Sequence, residues 1–411
     1  MIRGFALNSR DVELTGDPNE LFFPENLWPL NGSIGKGTTY EASFVPSNPN
    51  QFQANATNIA GFVAAEISPW QRLKAVAGLR VENFRLNYTG QDQLGTIIYN
   101  NEEVLGTTGL FPSVNLIYNI KDKQNLRASF SQTTARPSFK EMSYAEIFDP
   151  ISGRTFAGGL FKDFDNISGE VYWDGNLQIT SIRNFDLRWE WFGKGSQTYS
   201  LGVFYKTFDK PIELVQYIQM VNAFQPRNVG DGTVLGLEME VRQGLGFLSP
   251  GMQSLSWVSN FTLTDSRILI SATELKSRNR YARTGETIGE YRDMAGQSPY
   301  ILNAGILYEG GEKGILRNLE AALFYNVQGP TLQIVGIVDR PDIYSVPFHS
   351  LNLNVNKKLG AEGKWQLGMK IDNLLDQERS TYFQAYNTAR EYTSVLHPGT
   401  SFQIRLQYNF F

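Results

Sequence analysis

The chain has 411 residues, with 37 Lys+Arg against 41 Asp+Glu and a formal net charge of −4. It contains no Cys and two His, which excludes disulfide scaffolds, thiolate metal sites and Cys nucleophiles and leaves little for His-based zinc or acid–base chemistry. The near-balanced charge argues against a nucleic-acid partner, and the longest uninterrupted apolar stretch, Ile59–Ala65, falls far short of the roughly 20 residues a spanning helix needs.

Taken in chain order, the sequence alternates with a period of two and carries little helical periodicity. Strands are expected near 1–9, 56–67, 72–88, 110–120, 124–133, 182–192, 197–208, 232–243, 252–266, 298–309, 317–329, 347–357, 364–374 and 400–411. Near the middle, Phe185, Leu187, Trp189 and Trp191 alternate with Asn184, Asp186, Arg188 and Glu190. At the end, Phe402, Ile404, Leu406, Tyr408 and Phe410 alternate with Gln403, Arg405, Gln407 and Asn409. Residues i and i+2 of a strand share a face, so each segment presents one apolar and one polar side.

Alternation alone suits a sandwich or a barrel; the connections separate them. Tight turns at 68–71, 121–123, 193–196, 244–251, 310–316 and 358–363 alternate with long loops near 10–55, 89–109, 134–181, 209–231, 267–297, 330–346 and 375–399. Short turns on one rim and long loops on the other mark an outer-membrane barrel. The fold class expected is all-β, a transmembrane antiparallel β-barrel with about fourteen strands present, with residues 1–411 as one barrel domain. Trp70, Trp189, Trp191, Trp257 and Trp365 lie beside tight turns, where a membrane-interface girdle belongs.

Charges on the polar side are expected to face the lumen: Arg80, Arg127, Arg188, Glu190, Glu238, Glu240, Arg242, Lys370 and Asp372. Turning one Arg or Lys toward lipid near the midplane would cost ~2–4 kcal/mol. Binding is expected in the long loops, where Arg136, Arg154, Tyr172, Trp173, Arg280 and Tyr281 combine aromatic faces with guanidinium groups suited to stacking and to gripping carboxylates. The acids Asp163, Asp165, Glu170 and Asp174 fail the EF-hand pattern at Ile167 and read as solvated. Gly32–Thr38 misses the phosphate-loop spacing, and no Ser/His/Asp set is present. No enzyme activity, cofactor or metal is expected.

Several runs resemble TonB-dependent outer-membrane receptors, especially those of the Bacteroidetes type. They are Asn125–Phe139, Phe185–Phe192, Gly202–Lys206, Phe208–Glu213, Ala77–Glu82 and Lys370–Asp376, in order over most of 54–411. The resemblance implies a 22-stranded barrel, of which this chain would be the C-terminal part without its plug and first strands. It implies energy-coupled uptake of a siderophore, glycan or peptide, with outer-membrane lipids, the TonB complex and a surface lipoprotein as partners. It also implies an assembly signal at the terminal aromatics Phe410 and Phe411. A complete fourteen-stranded passive channel is the alternative reading.

Overall fold

The computed structural model describes residues 4–7, 40–43 and 50–410, except 151, 167, 196, 312–313 and 361–362. Thirteen long strands form one antiparallel wall in sequence order: β1 (Gln53–Trp70), β2 (Leu73–Gln91), β3 (Ile98–Lys121), β4 (Gln124–Ala135), β5 (Thr180–Phe192), β6 (Thr198–Asp209), β7 (Gly232–Gly244), β8 (Leu255–Leu269), β9 (Tyr300–Glu309), β10 (Leu319–Gln328), β11 (Phe348–Leu359), β12 (Trp365–Asp372) and β13 (Ser401–Tyr408). A two-residue ladder, Tyr291–Arg292 against β8, makes this a fourteen-stranded sheet. Among the described residues β1 and β13 are its outer members and do not pair with each other.

Each neighbouring pair along the wall is antiparallel, which tight hairpins permit and parallel strands would not. Gly195 and Gly363, both at positive φ, turn the chain between β5 and β6 and between β11 and β12.

Two expectations are corrected. The segment near 1–9 does not join the wall: Gly4–Leu7 pairs with Tyr40–Ser43 in a separate ladder. Residues 89–109 are mostly not a loop, because β2 and β3 run on as a paired hairpin connected only by 92–97. Backbone pairing sustains that extension where side-chain alternation weakens, a contribution that composition does not register.

The buried apolar core lies at the long-loop rim. On β2 the face that carries Arg80 and Glu82 continues upward into Phe84, Leu86 and Tyr88, all buried against Met142, Tyr144, Leu160 and Leu177 of the loop after β4. Val234 and Ile268 behave alike on β7 and β8, packing on Met294. The loops therefore fold back over this one face of the wall. They form two four-stranded sheets of their own. One combines Glu146–Asp149, Arg154–Ala157, Ala223–Asn228 and Ile212–Gln216; the other combines Thr331–Ile334, Ile343–Ser345, Arg379–Phe383 and Glu391–Leu396. A Val215–Val335 bridge joins them.

One helix, α1 (Ala272–Arg280), lies in the loop after β8. Ser271 caps it by accepting from the Glu274 N–H at 3.2 Å. The Ser271-x-x-Glu274 spacing is a capping-box signal that the period-two reading passes over.

Candidate functional site

Strand register gathers the alternating charges onto a single face. Arg127 stands opposite Arg188, and Ser200 links Glu190 to Glu240 across three strands. Arg127 and Arg188 both bind Glu190, at 2.7 and 3.2 Å, and Arg188 reaches Glu240 at 2.8 Å. Arg80 donates to Glu82 at 2.5 Å, and Lys370 pairs with Asp372 at 2.8 Å. Glu238 and Arg242 share this face through Gly202 and Thr198 and form no ion pair among the described residues.

Along the middle of β8–β11 the same face is neutral, with Glu309, Glu320 and Lys358 toward the tight-turn rim. Asn303 donates to Asn260 at 2.6 Å and accepts from Asn326; Asn352 donates to Ser350 at 2.9 Å and accepts from the Asn373 N–H at 3.0 Å. The wall thus presents a charged ladder on β2–β7 and an amide ladder on β8–β11. Exposed ion pairs of this kind stabilise by only about 0–1 kcal/mol each. Their placement is better explained by the ~2–4 kcal/mol that a lipid-facing Arg or Lys would cost.

The opposite face is apolar. Ile67, Ala75, Leu116, Ala128, Leu187, Val203, Leu237 and Leu263 follow one another across eight strands in register. Trp189, Trp191, Trp257 and Trp365 stand on this side toward the tight-turn rim, with Trp70 at the first tight turn. Trp365 packs on Tyr408, and Tyr408 on Phe410, with ring centroids 4.8 and 4.9 Å apart. Phe411 lies outside the described residues.

The six loop residues expected to bind ligand divide into two groups. Arg136, Arg154 and Trp173 are engaged within the protein. Arg136 pairs with Glu82 and lies over the Phe84 ring at 4.5 Å. Arg154 donates to Thr381 at 3.1 Å and Thr393 at 2.9 Å, tying the two loop sheets together. The Trp173 indole donates to the Gly159 carbonyl at 2.8 Å.

Tyr172, Arg280 and Tyr281 instead belong to one neighbourhood around Glu170. Arg280 reaches Glu170 at 3.2 Å, and Lys276, one turn earlier on α1, reaches it at 2.7 Å. Tyr172 is buried, its hydroxyl has no partner among the described residues, and burial foremost, then Glu170, pushes its proton affinity up. Lys276 and Glu170 were not expected as site residues; the i,i+4 spacing of Lys276 and Arg280 on a capped helix is the signal for one, and nothing local marks the other.

Of the four acids expected to be solvated, Asp174 is exposed and Asp165 and Glu170 are half-buried, while Asp163 is not solvated. Asp163, in the hairpin strand Asp163–Phe164, is fully buried in an ion pair with Arg227 of the strand Ala223–Asn228. A second buried network joins Glu213 to Arg292 at 2.7 Å, Arg292 to Glu274 at 2.8 Å, and Arg278 to Asp342 at 2.7 Å. Burial pushes the Glu213 carboxyl up, against the pull of Arg292. Among the described residues no three His, Asp or Glu side chains converge as a metal site requires.

A family model described as TonB dependent receptor-like, beta-barrel matches residues 8–374. The chain belongs to this family. Among solved structures, the receptor barrel is similar to the unliganded ferric citrate transporter FecA, at 16% identity and TM-score 0.57, over 91% of this chain and 47% of that one. It is similar to the copper transporter OprC, at 15% identity and TM-score 0.58, over 87% and 50%. It is also similar to the ferric yersiniabactin uptake receptor FyuA from Yersinia pestis, at 15% identity and TM-score 0.55, over 88% and 46%. The chain spans about half the length of these structures, and at such identity the likeness establishes the fold. Among curated proteins no sequence relative matches the chain. The barrel is an outer-membrane one, and its family is one of receptors and transporters.

Proposed function

We propose that this barrel serves energy-coupled nutrient uptake across the outer membrane, with its charged and amide ladders lining the lumen and its loop layer receiving the ligand. One observation carries the reading: the face that bears the polar ladders is the face roofed by the loops, through Phe84, Leu86, Tyr88, Val234 and Ile268. A solute held by the loops is thereby delivered onto a polar surface shielded from lipid. Further strands completing the wall, a lumen-filling domain and the TonB complex as the energy-coupling partner belong to this reading, with a siderophore, glycan or peptide as ligand. The apolar face and its Trp side chains contact the lipid, and a surface lipoprotein is a further candidate partner. Family membership favours this over the passive channel.

The test is depletion of nutrients from spent medium by cells with and without the protein, each with and without a protonophore. Solutes lost only to energised cells carrying the protein support uptake. Uptake insensitive to the protonophore overturns it in favour of passive conductance.

A further inference from the structure

The ion pairs of the loop layer divide into two kinds. Arg227–Asp163 and Arg292–Glu213 are buried on both sides. Around Glu170 the pattern inverts. The acid is 18% exposed, while Lys276 and Arg280 are 66% and 48% exposed. The two cations follow each other by one helical turn, and α1 is fixed from its other side by Glu274 on Arg292 and by Arg278 on Asp342. Glu170 closes the turn of a short hairpin, with its carbonyl accepting from the Asp165 N–H at 2.8 Å and its N–H donating to the Ser168 hydroxyl at 3.3 Å.

Behind this clamp lies an unmet donor. Tyr172 is two residues beyond Glu170, in the short strand Val171–Trp173, and its ring belongs to the buried cluster of Val215, Leu332 and Val335. It is 8% exposed, and among the described residues its hydroxyl has no hydrogen-bond partner. Buried hydroxyls without partners are uncommon, because such a group gives up its water bonds and gains nothing in return. Glu170, Asp165, Tyr281 and Arg280 are the charged and phenolic groups acting on it. Tyr281 closes the neighbourhood with an exposed ring next to Arg280.

We propose that Lys276, Arg280 and the Tyr172 hydroxyl form a carboxylate-binding subsite in which Glu170 holds the place of an acidic group of the incoming ligand. This deepens the uptake reading and rests on it for the loops as the place of capture. Exchange of Glu170 for a ligand carboxylate preserves the charge around both cations, and a further oxygen of a polycarboxylate ligand supplies the Tyr172 hydroxyl with the acceptor that Glu170 does not. Glu170 then swings into solvent, and the hairpin Asp163–Trp173 loses its hold on α1. Ligand arrival is thereby converted into loosening of one loop from another.

The experiment uses the full-length protein in isolated outer membranes, citrate as the polycarboxylate probe and maltotriose as the uncharged control. Acylation of Lys276 by an amine-reactive ester, read by peptide mass spectrometry, reports occupancy in the unmutated protein. Citrate should protect Lys276 and maltotriose should not. Glu170→Gln removes the internal competitor and should lower the citrate concentration for half-protection about tenfold, whereas Arg280→Gln should raise it about tenfold. Tyr172→Phe should raise it severalfold.

No protection by citrate, equal protection by both probes, or a Glu170→Gln midpoint unchanged or raised each overturns the subsite. The unmutated measurement stands even if a variant fails to assemble. Protection without energy-dependent uptake would sink the transport reading and leave the subsite intact; uptake without protection would do the reverse.

Discussion

Arg227 and Asp163 meet inside the loop layer with 4% and 0% of their side chains exposed, so that a guanidinium on one loop strand fastens a carboxylate on another loop 64 residues away. Gln225 reinforces the joint, accepting from the Arg227 Nε–H at 3.0 Å and donating to the carbonyls of Gly158 and Phe161. Burial pulls the Arg227 proton affinity down and Asp163 pulls it back.

Asp163→Asn should therefore destabilise the loop layer by about 3–5 kcal/mol, since it strands a buried cation. The double change Asp163→Leu with Arg227→Met should restore much of that. Hydrogen exchange of the amides in 163–173 and 223–228 reads both. Equal protection in the parent and in Asp163→Asn would show that the pair does not hold these loops together.

The loop layer should also loosen at high pH through Tyr217. Burial, and then the charge of Asp163, push its phenol up to about 12. A group whose folded value lies above its unfolded value of about 10 contributes stability that is complete below the unfolded value. That contribution is lost as the pH rises through the folded one, a window here of roughly pH 10 to 12 and on the order of 2–3 kcal/mol. Tyr217→Phe should flatten this part of the stability profile and remove one phenolate that titrates late in the absorbance at 295 nm.

The two faces of the wall should respond oppositely to the same charge. Leu237→Arg, on the apolar face near the middle of β7, should cost ~2–4 kcal/mol and impair assembly, whereas Glu238→Arg on the next residue should assemble normally. Heat-modifiable gel migration of outer-membrane fractions distinguishes them. Equal loss in both variants would mean that the two faces are not distinguished by lipid.

Close approach of backbone to aromatic rings gives a further test. A methyl group at Gly305 would fall 2.4 Å from the Phe324 ring across the strand pair, while one at Gly202 meets nothing nearer than 3.8 Å. Gly305→Ala should cost about 1–3 kcal/mol and Gly202→Ala little, measured by urea midpoints in detergent.

Much of the wall was legible from the chain because a strand's face alternation is a local property. Phe185, Leu187, Trp189 and Trp191 announce an apolar side without knowledge of any neighbour. Loop and turn lengths then supply the membrane orientation, and twelve of the thirteen expected strands beyond the first overlap wall strands of similar extent, while the one expected near 110–120 extends upward to Ile98. The segment near 1–9 also reads as a strand, but that reading does not say which strand it pairs with.

The loops are where tertiary structure decided. Arg136, Arg154, Tyr172, Trp173, Arg280 and Tyr281 were one set by residue type. Folding divides them into structural ties, with Arg154 on Thr393, and a cluster around Glu170, with Arg280 paired to it. Those last two residues are 110 positions apart, and Asp163 and Glu170, seven apart in one acidic run, end in opposite environments. The sequence by itself determined which side of each strand can face lipid, because that depends on neighbours two residues away. Only the tertiary structure determined which charges are buried, paired or presented, because ion pairing acts between groups within about 4 Å in space, wherever they stand in the chain.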